Sequence, residues 1–165
     1  MATRTAAALP RHVSTALLLC LAAVCLHLSG CASTSEASRQ RSVIRSGSAW
    51  SKQIALTFDD GPHPGSTPGL LRVLEDAGVR ATFFYCGSQA EAHPELVSET
   101  LAAGHSVGNH TYSHPLLDEI PIARAREEIS RGADAIQSAC GVRPRLLRPP
   151  GGHYSRRIIA AANEL

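Results

Sequence analysis

The stretch Ile54-Ala55-Leu56-Thr57-Phe58-Asp59-Asp60-Gly61-Pro62 decides how this chain is read. A short apolar run ends in two adjacent carboxylates, and a Gly-Pro pair turns the chain at once. Residues 54–58 read as a strand. Carboxylates that close a buried strand are costly unless a metal, a cation or chemistry uses them.

Working outward, the sequence alternates strands and helices. Thr67-Pro68 supplies an N-cap and a first-turn proline for a helix carrying Leu70, Leu71, Val73, Leu74 and Ala77, stopped by Gly78. Residues 81–86 predict a second strand. A helix from about Pro94 carries Leu96, Val97 and Leu101 and ends at Gly104, and residues 105–109 predict a third strand. Pro121 opens a helix with Ile122, Ala125, Ile129, Ala133 and Ile136 on one face, a clear 3.6-residue period, closed by Gly141. Residues 145–148 read as a fourth strand, and Ser155 caps a last helix carrying Ile158 and Ile159. The pattern is βαβαβαβα with short connections, hence an α/β fold with a parallel sheet and helical crossovers. Its polar motifs all fall at the C-terminal ends of strands, where barrel active sites sit.

Residues 1–30 read as an export signal. Arg4 and Arg11 precede an apolar stretch, 16–28, that is shorter than the about 20 residues a spanning helix needs. Leu28-Ser29-Gly30-Cys31 resembles a bacterial lipoprotein lipobox, which implies cleavage before Cys31 and its acylation. With Ala32 next, the outer membrane is the expected destination in a Gram-negative host. Residues 31–52, rich in Ser, Arg and Gly, read as a flexible tether.

The signal holds two of the sixteen basic residues and no acid, so the remainder is balanced at fourteen of each. Nothing in that balance points to nucleic acid as a partner. Of five cysteines, Cys86 and Cys140 lie outside the signal and lipobox. They fall at a strand end and a helix end, opposite faces of a βα barrel, so two free thiols are expected.

Two further motifs follow Asp59-Asp60: His110-Thr111-Tyr112-Ser113-His114 and Arg148-Pro149-Pro150-Gly151-Gly152. The histidines are four apart, which on a helical turn puts both imidazoles on one side. With one carboxylate they make a two-His, one-Asp site with open positions, suited to zinc or another divalent transition metal. These three motifs, in this order, resemble the first three motifs of the polysaccharide deacetylases, carbohydrate esterase family four with its NodB homology domain. Ala81-Thr82-Phe83-Phe84 and the residues 104–110 that lead into His110 read like that family too. The resemblance covers residues 53–165.

It implies a distorted (β/α) barrel, of which about the first four βα units fall in this chain. It also implies metal-dependent removal of N-acetyl groups from an N-acetylglucosamine polysaccharide: peptidoglycan, chitin oligomers or an exopolysaccharide. Asp60, His110 and His114 become the metal ligands and Asp59 the catalytic base. The alternation of a strand supports sending the two aspartates in different directions. Arg148 is expected to hold Asp59 ionised and oriented. The backbone N–H of Gly151 is expected to meet the oxyanion. Many relatives carry tyrosine there, so glycine keeps the N–H and loses a side chain. The family's Leu-x-His general acid, and the Asp and Trp segment that tunes it, are not met before Leu165. Residues 53–165 are therefore expected to form a truncated domain, and a catalytically impaired glycan-binding remnant is the alternative reading. A third is an amidohydrolase acting on small cyclic amides. His63, His93, His105 and His153 read as ordinary histidines, with His63 and His153 beside motif loops. Trp50 reads as a packing residue.

Overall fold

A computed structural model describes residues 43–50 and 52–165. The expected signal, Cys31 and most of the tether lie outside the described residues. The apolar run before Asp59 forms only a two-residue strand, β1 (Thr57–Phe58), shorter than the predicted 54–58. It pairs in parallel with β2 (Thr82–Tyr85), Thr57 opposite Thr82 and Phe58 opposite Phe83. β1 is the edge of the described sheet, and Ile54 is 92% exposed. Pairing fades where burial fades.

β3 (Ser106–Asn109) runs parallel along the other side of β2, from Thr82–Ser106 to Tyr85–Asn109. Phe83, Phe84 and Tyr85 of the central strand are all buried. That run without polar alternation is what a parallel strand covered on both faces requires. The predicted fourth strand is reduced to one bridge, Leu147 to Asn109. Asn109 N–H donates to the Leu146 carbonyl (2.8 Å) and Arg148 N–H to the Asn109 carbonyl (2.9 Å). Pro144 and Pro149 bracket the segment and have no N–H to extend the ladder.

The crossovers are α1 (Thr67–Asp76), α2 (Gly87–Ala92), α3 (Pro94–Ala102), α4 (Ile122–Cys140) and α5 (Arg156–Glu164). Ser66, rather than Thr67, is the residue before α1; Thr67 Oγ1 accepts the His63 N–H instead (2.9 Å). Gly141 ends α4 in the left-handed region (φ 75°), which only glycine enters cheaply. Ser155 caps α5 by accepting the Ile158 N–H. The sequence does not predict α2, a polar six-residue helix whose buried positions are Gly87 and Ala90.

One face of the sheet packs Phe83 and Tyr85 against Leu71 and Leu74 of α1, Val97 of α3 and Ile136 of α4. A second cluster joins Leu117, Ala125, Ile129 and Ile158, with Leu147 packed against it. Trp50 is 98% exposed, so the packing role expected of it is not seen. Cys86 and Cys140 are both free thiols. Among the described residues no helix is long and apolar enough to cross a membrane.

Candidate metal and carboxylate site

The three motifs meet where the strands end. Asp59 and Asp60 follow β1, the histidine motif follows β3, and the Arg148 motif follows the Leu147 bridge. Asp60 Oδ1 lies 3.3 Å from His110 Nε2 and 3.1 Å from His114 Nε2. One ligand atom from each of the three residues falls within 4.8 Å of the others. His110 is 3% exposed, and its Nδ1 faces the Arg148 carbonyl at 2.6 Å. A carbonyl only accepts, so Nδ1 donates and Nε2 is the ring nitrogen turned toward Asp60. His114 and Asp60 are 44% and 64% exposed, which leaves the group open to solvent on one side.

The local backbone is strained in the same place. Among the described residues, the non-glycine residues with positive φ are Asp60 (70°), Thr111 (70°) and His114 (64°). Such conformations cost about 1–3 kcal/mol each and persist where the surroundings impose them; for a β-branched threonine the outlier is pronounced. The histidines therefore do not sit on a helical turn, as their spacing predicts. The segment between them is an irregular loop, and the left-handed residues fold His114 back until its ring meets His110 edge-on, centroids 4.9 Å apart. The same correction applies to the aspartates. They diverge because Asp60 turns left-handed after the strand has ended, not because of strand alternation.

Asp59 is held separately. Arg148 Nη1 donates to Asp59 Oδ1 (2.7 Å) and to Thr57 Oγ1 (2.9 Å), and the guanidinium stacks on the Phe84 ring at 4.1 Å. Beside the Asp60 cluster lies an open cleft of about 330 Å³ lined by Asp60, His63, Cys86, Ser88, Gln89, Ser113 and His114. Burial pushes the Cys86 thiol up to about 11, with Asp60 and Asp59 adding to the rise.

A model of the family described as "Polysaccharide deacetylase" matches residues 46–165. The chain belongs to the polysaccharide deacetylase family. It is 45% identical over 101 residues to the peptidoglycan-N-acetylmuramic acid deacetylase PdaC of Bacillus subtilis, covering 61% of this chain and 22% of that protein. It is 40% identical over 112 residues to a chitooligosaccharide deacetylase of Bradyrhizobium, covering 67% and 51% respectively. Among solved structures it resembles a family 4 carbohydrate esterase from Streptomyces lividans in complex with acetate, with TM-score 0.65 and 41% identity, covering 67% of this chain and 57% of that one. The chain thus spans from about a fifth to about half the length of these curated relatives. The α/β fold is that of the family's solved structures, with three parallel strands and their helices forming part of a distorted barrel.

Within this polysaccharide deacetylase domain the predicted residues fall into two groups. Asp60, His110 and His114 converge, and Asp59 pairs with Arg148. Gly151 stands apart from the residues lining the cleft. It sits in a short 3₁₀ turn at φ 64°, where an added Cβ would come within 3.0 Å of His153 Cδ2 and Leu116 Cδ2. His63 does line the cleft, whereas His153 pairs with Asp118 at 3.3 Å. His93 lies 3.8 Å from Glu95. Sequence reasoning misses Ser88, Gln89 and the first amides of α2. Gly87 N–H donates to the Thr111 carbonyl (2.8 Å) and Ser88 N–H to the Tyr112 carbonyl (3.0 Å). It also misses Glu128, whose signal is its place as a charged residue on the apolar face of α4.

Proposed function

We propose that this chain is a metal-dependent hydrolase that removes N-acetyl groups from an N-acetylglucosamine-containing polysaccharide. The observation that carries the reading is the separation of two neighbouring carboxylates: Asp60 among two imidazoles, Asp59 on an arginine. Two imidazole nitrogens and a carboxylate oxygen, with an open side, suit zinc among the divalent metals. Asp60, His110 and His114 would hold it. When bound, such a metal supplies Lewis acidity to an acyl oxygen and lowers the pKa of water.

The chain's own residues supply the base and the substrate contacts. Arg148 keeps Asp59 oriented, and Asp59 takes the proton of the attacking water as general base. With Nδ1 donating to the Arg148 carbonyl, His110 would offer Nε2 to the metal. The cleft lined by His63, Ser88, Gln89 and Ser113 offers hydroxyl, amide and imidazole partners to a sugar. The N–H of Gly151 is the proposed donor to the oxyanion. The relatives named for peptidoglycan and for chitooligosaccharide support N-acetylated glycans as the substrate class.

The test is acetate release from N-acetylglucosamine oligomers and from peptidoglycan, before and after chelation. Release that stops on chelation and returns with a divalent metal supports the proposal. Release that persists without metal refutes it. Glycan retained without acetate release would replace it with the impaired glycan-binding reading. We also propose export and lipid anchoring of the domain through Cys31. Metabolic labelling with an alkynyl fatty acid should mark the wild-type chain and fail on Cys31→Ala; equal labelling of both would refute the anchor.

A further inference from the structure

We infer that Glu128 is a positioning residue for His114, holding the backbone of the turn that carries this histidine back beside His110. The inference rests on the reading of Asp60, His110 and His114 as metal ligands.

Glu128 lies on α4, 2% exposed, on the face shared with Ala125, Ile129, Gly132 and Ala133. A buried carboxylate costs several kcal/mol unless its oxygens are satisfied. Here they are. Oε2 accepts the N–H of Tyr112 (3.1 Å) and of Ser113 (2.8 Å). Oε1 accepts Ser113 Oγ–H (2.9 Å) and the Arg124 guanidinium (2.8 Å). Three of these four donors belong to the two residues immediately before His114.

The turn needs such fastening. Thr111 and His114 are both left-handed, so the loop's own preferences oppose its shape. Its carbonyls are held from one side, Thr111 and Tyr112 accepting the first amides of α2. Its amides are held from the other, Thr111 N–H by Asn109 Oδ1 (2.9 Å) and the next two by Glu128. Tyr112 is fixed further by its hydroxyl on Glu91 (2.7 Å) and its ring under Arg131 (3.5 Å). Without Glu128, two amides lose their acceptor and the relaxed loop carries His114 Nε2 away from its 3.1 Å approach to Asp60. Arg124, the one donor outside the turn, is 47% exposed and also pairs with Glu127.

The test is calorimetric titration of the full chain with Zn²⁺ and with Co²⁺, following the Co²⁺ d–d spectrum and the thermal midpoint alongside. Glu128→Ala should weaken metal binding by about 10–100-fold, the range for residues that orient ligands. Ile136→Val, a destabilised control in the same helix, should lower the midpoint and leave affinity unchanged. Glu128→Gln keeps one oxygen for both backbone amides and an N–H for Ser113 Oγ, and gives up only the half-exposed Arg124 guanidinium outside the turn, so it should bind within about threefold of wild type. Glu128→Asp, one methylene shorter, should lose about tenfold or more and shift the Co²⁺ spectrum. The Gln and Asp pair decides the matter if the alanine variant does not fold. Wild-type affinity in Glu128→Asp or Glu128→Ala overturns this inference and leaves the deacetylase proposal standing. A wild-type chain that binds neither metal overturns both.

Discussion

Gly132→Ala should destabilise this protein although it improves a helix. In the interior of α4, alanine is worth about 1 kcal/mol over glycine by propensity alone. A Cβ at position 132, however, would lie 2.5 Å from Asn109 Oδ1, 2.7 Å from the Thr111 carbonyl carbon and 2.8 Å from its oxygen. None of these atoms can step aside alone. Asn109 is tied at both ends of its amide, to Thr111 N–H and to the Ile129 carbonyl (2.8 Å). The Thr111 carbonyl is held by Gly87. Overpacking of this kind costs about 1–3 kcal/mol, and losing the Asn109–Thr111 hydrogen bond adds about 0.5–1.5 kcal/mol. Set against the propensity gain, the net is a loss of about 1–3 kcal/mol. That lowers the melting midpoint by roughly 4–13 °C for a domain of this size. Gly69→Ala in α1 is the matched control, since a Cβ added there would meet nothing within 4 Å; it should stabilise by about 0.5–1 kcal/mol. Paired thermal and urea unfolding of the two variants measures both signs. A Gly132→Ala chain that melts at or above wild type would refute the close approach of α4 to the histidine loop.

His105 is buried, its Nδ1 accepting the Ala81 N–H (3.2 Å), and burial, then Arg80, lower its pKa. The folded state thus binds fewer protons than the unfolded chain, so this stabilisation is full above the unfolded value of about 6.5 and is lost as pH falls through the folded value. The wild-type midpoint should drop between pH 7 and pH 5 more steeply than that of His105→Gln, and parallel profiles would contradict this. Arg148→Lys keeps a charge but cannot stack on Phe84 while bonding both Asp59 and Thr57. It should lose roughly 100-fold in acetate release with metal affinity unchanged, whereas equal losses in both would place Arg148 in the metal group.

The motifs are legible in the sequence because they put charge where a fold of this class buries strands. Asp59-Asp60, His110 with His114, and Arg148 each stand at a predicted strand end, and each lies there. Helix ends are legible through Gly141 and Ser155, whose local chemistry is independent of tertiary context. The geometry between the histidines is not. A spacing of four suggests a helical turn, while the observed loop depends on left-handed Thr111 and His114, a conformation that is a pronounced outlier for β-branched threonine and that tertiary hydrogen bonds sustain. β1 and the segment 145–148 are shorter than their composition suggests, because strand composition does not reveal whether a neighbour is present to pair with. α2 has too few apolar residues to show a period. Glu128 is hidden by the apolar rhythm of α4, in which Ala125 and Ile129 dominate the pattern.

The most direct test of the account is to measure bound metal and acetate release together in Asp59→Asn and Asp60→Asn. The two residues are adjacent in sequence, yet one sits on Arg148 and the other between two imidazoles. Asp59→Asn should keep its metal and stop releasing acetate, while Asp60→Asn should lose both. Undiminished acetate release from Asp59→Asn, or full metal occupancy in Asp60→Asn, would contradict it.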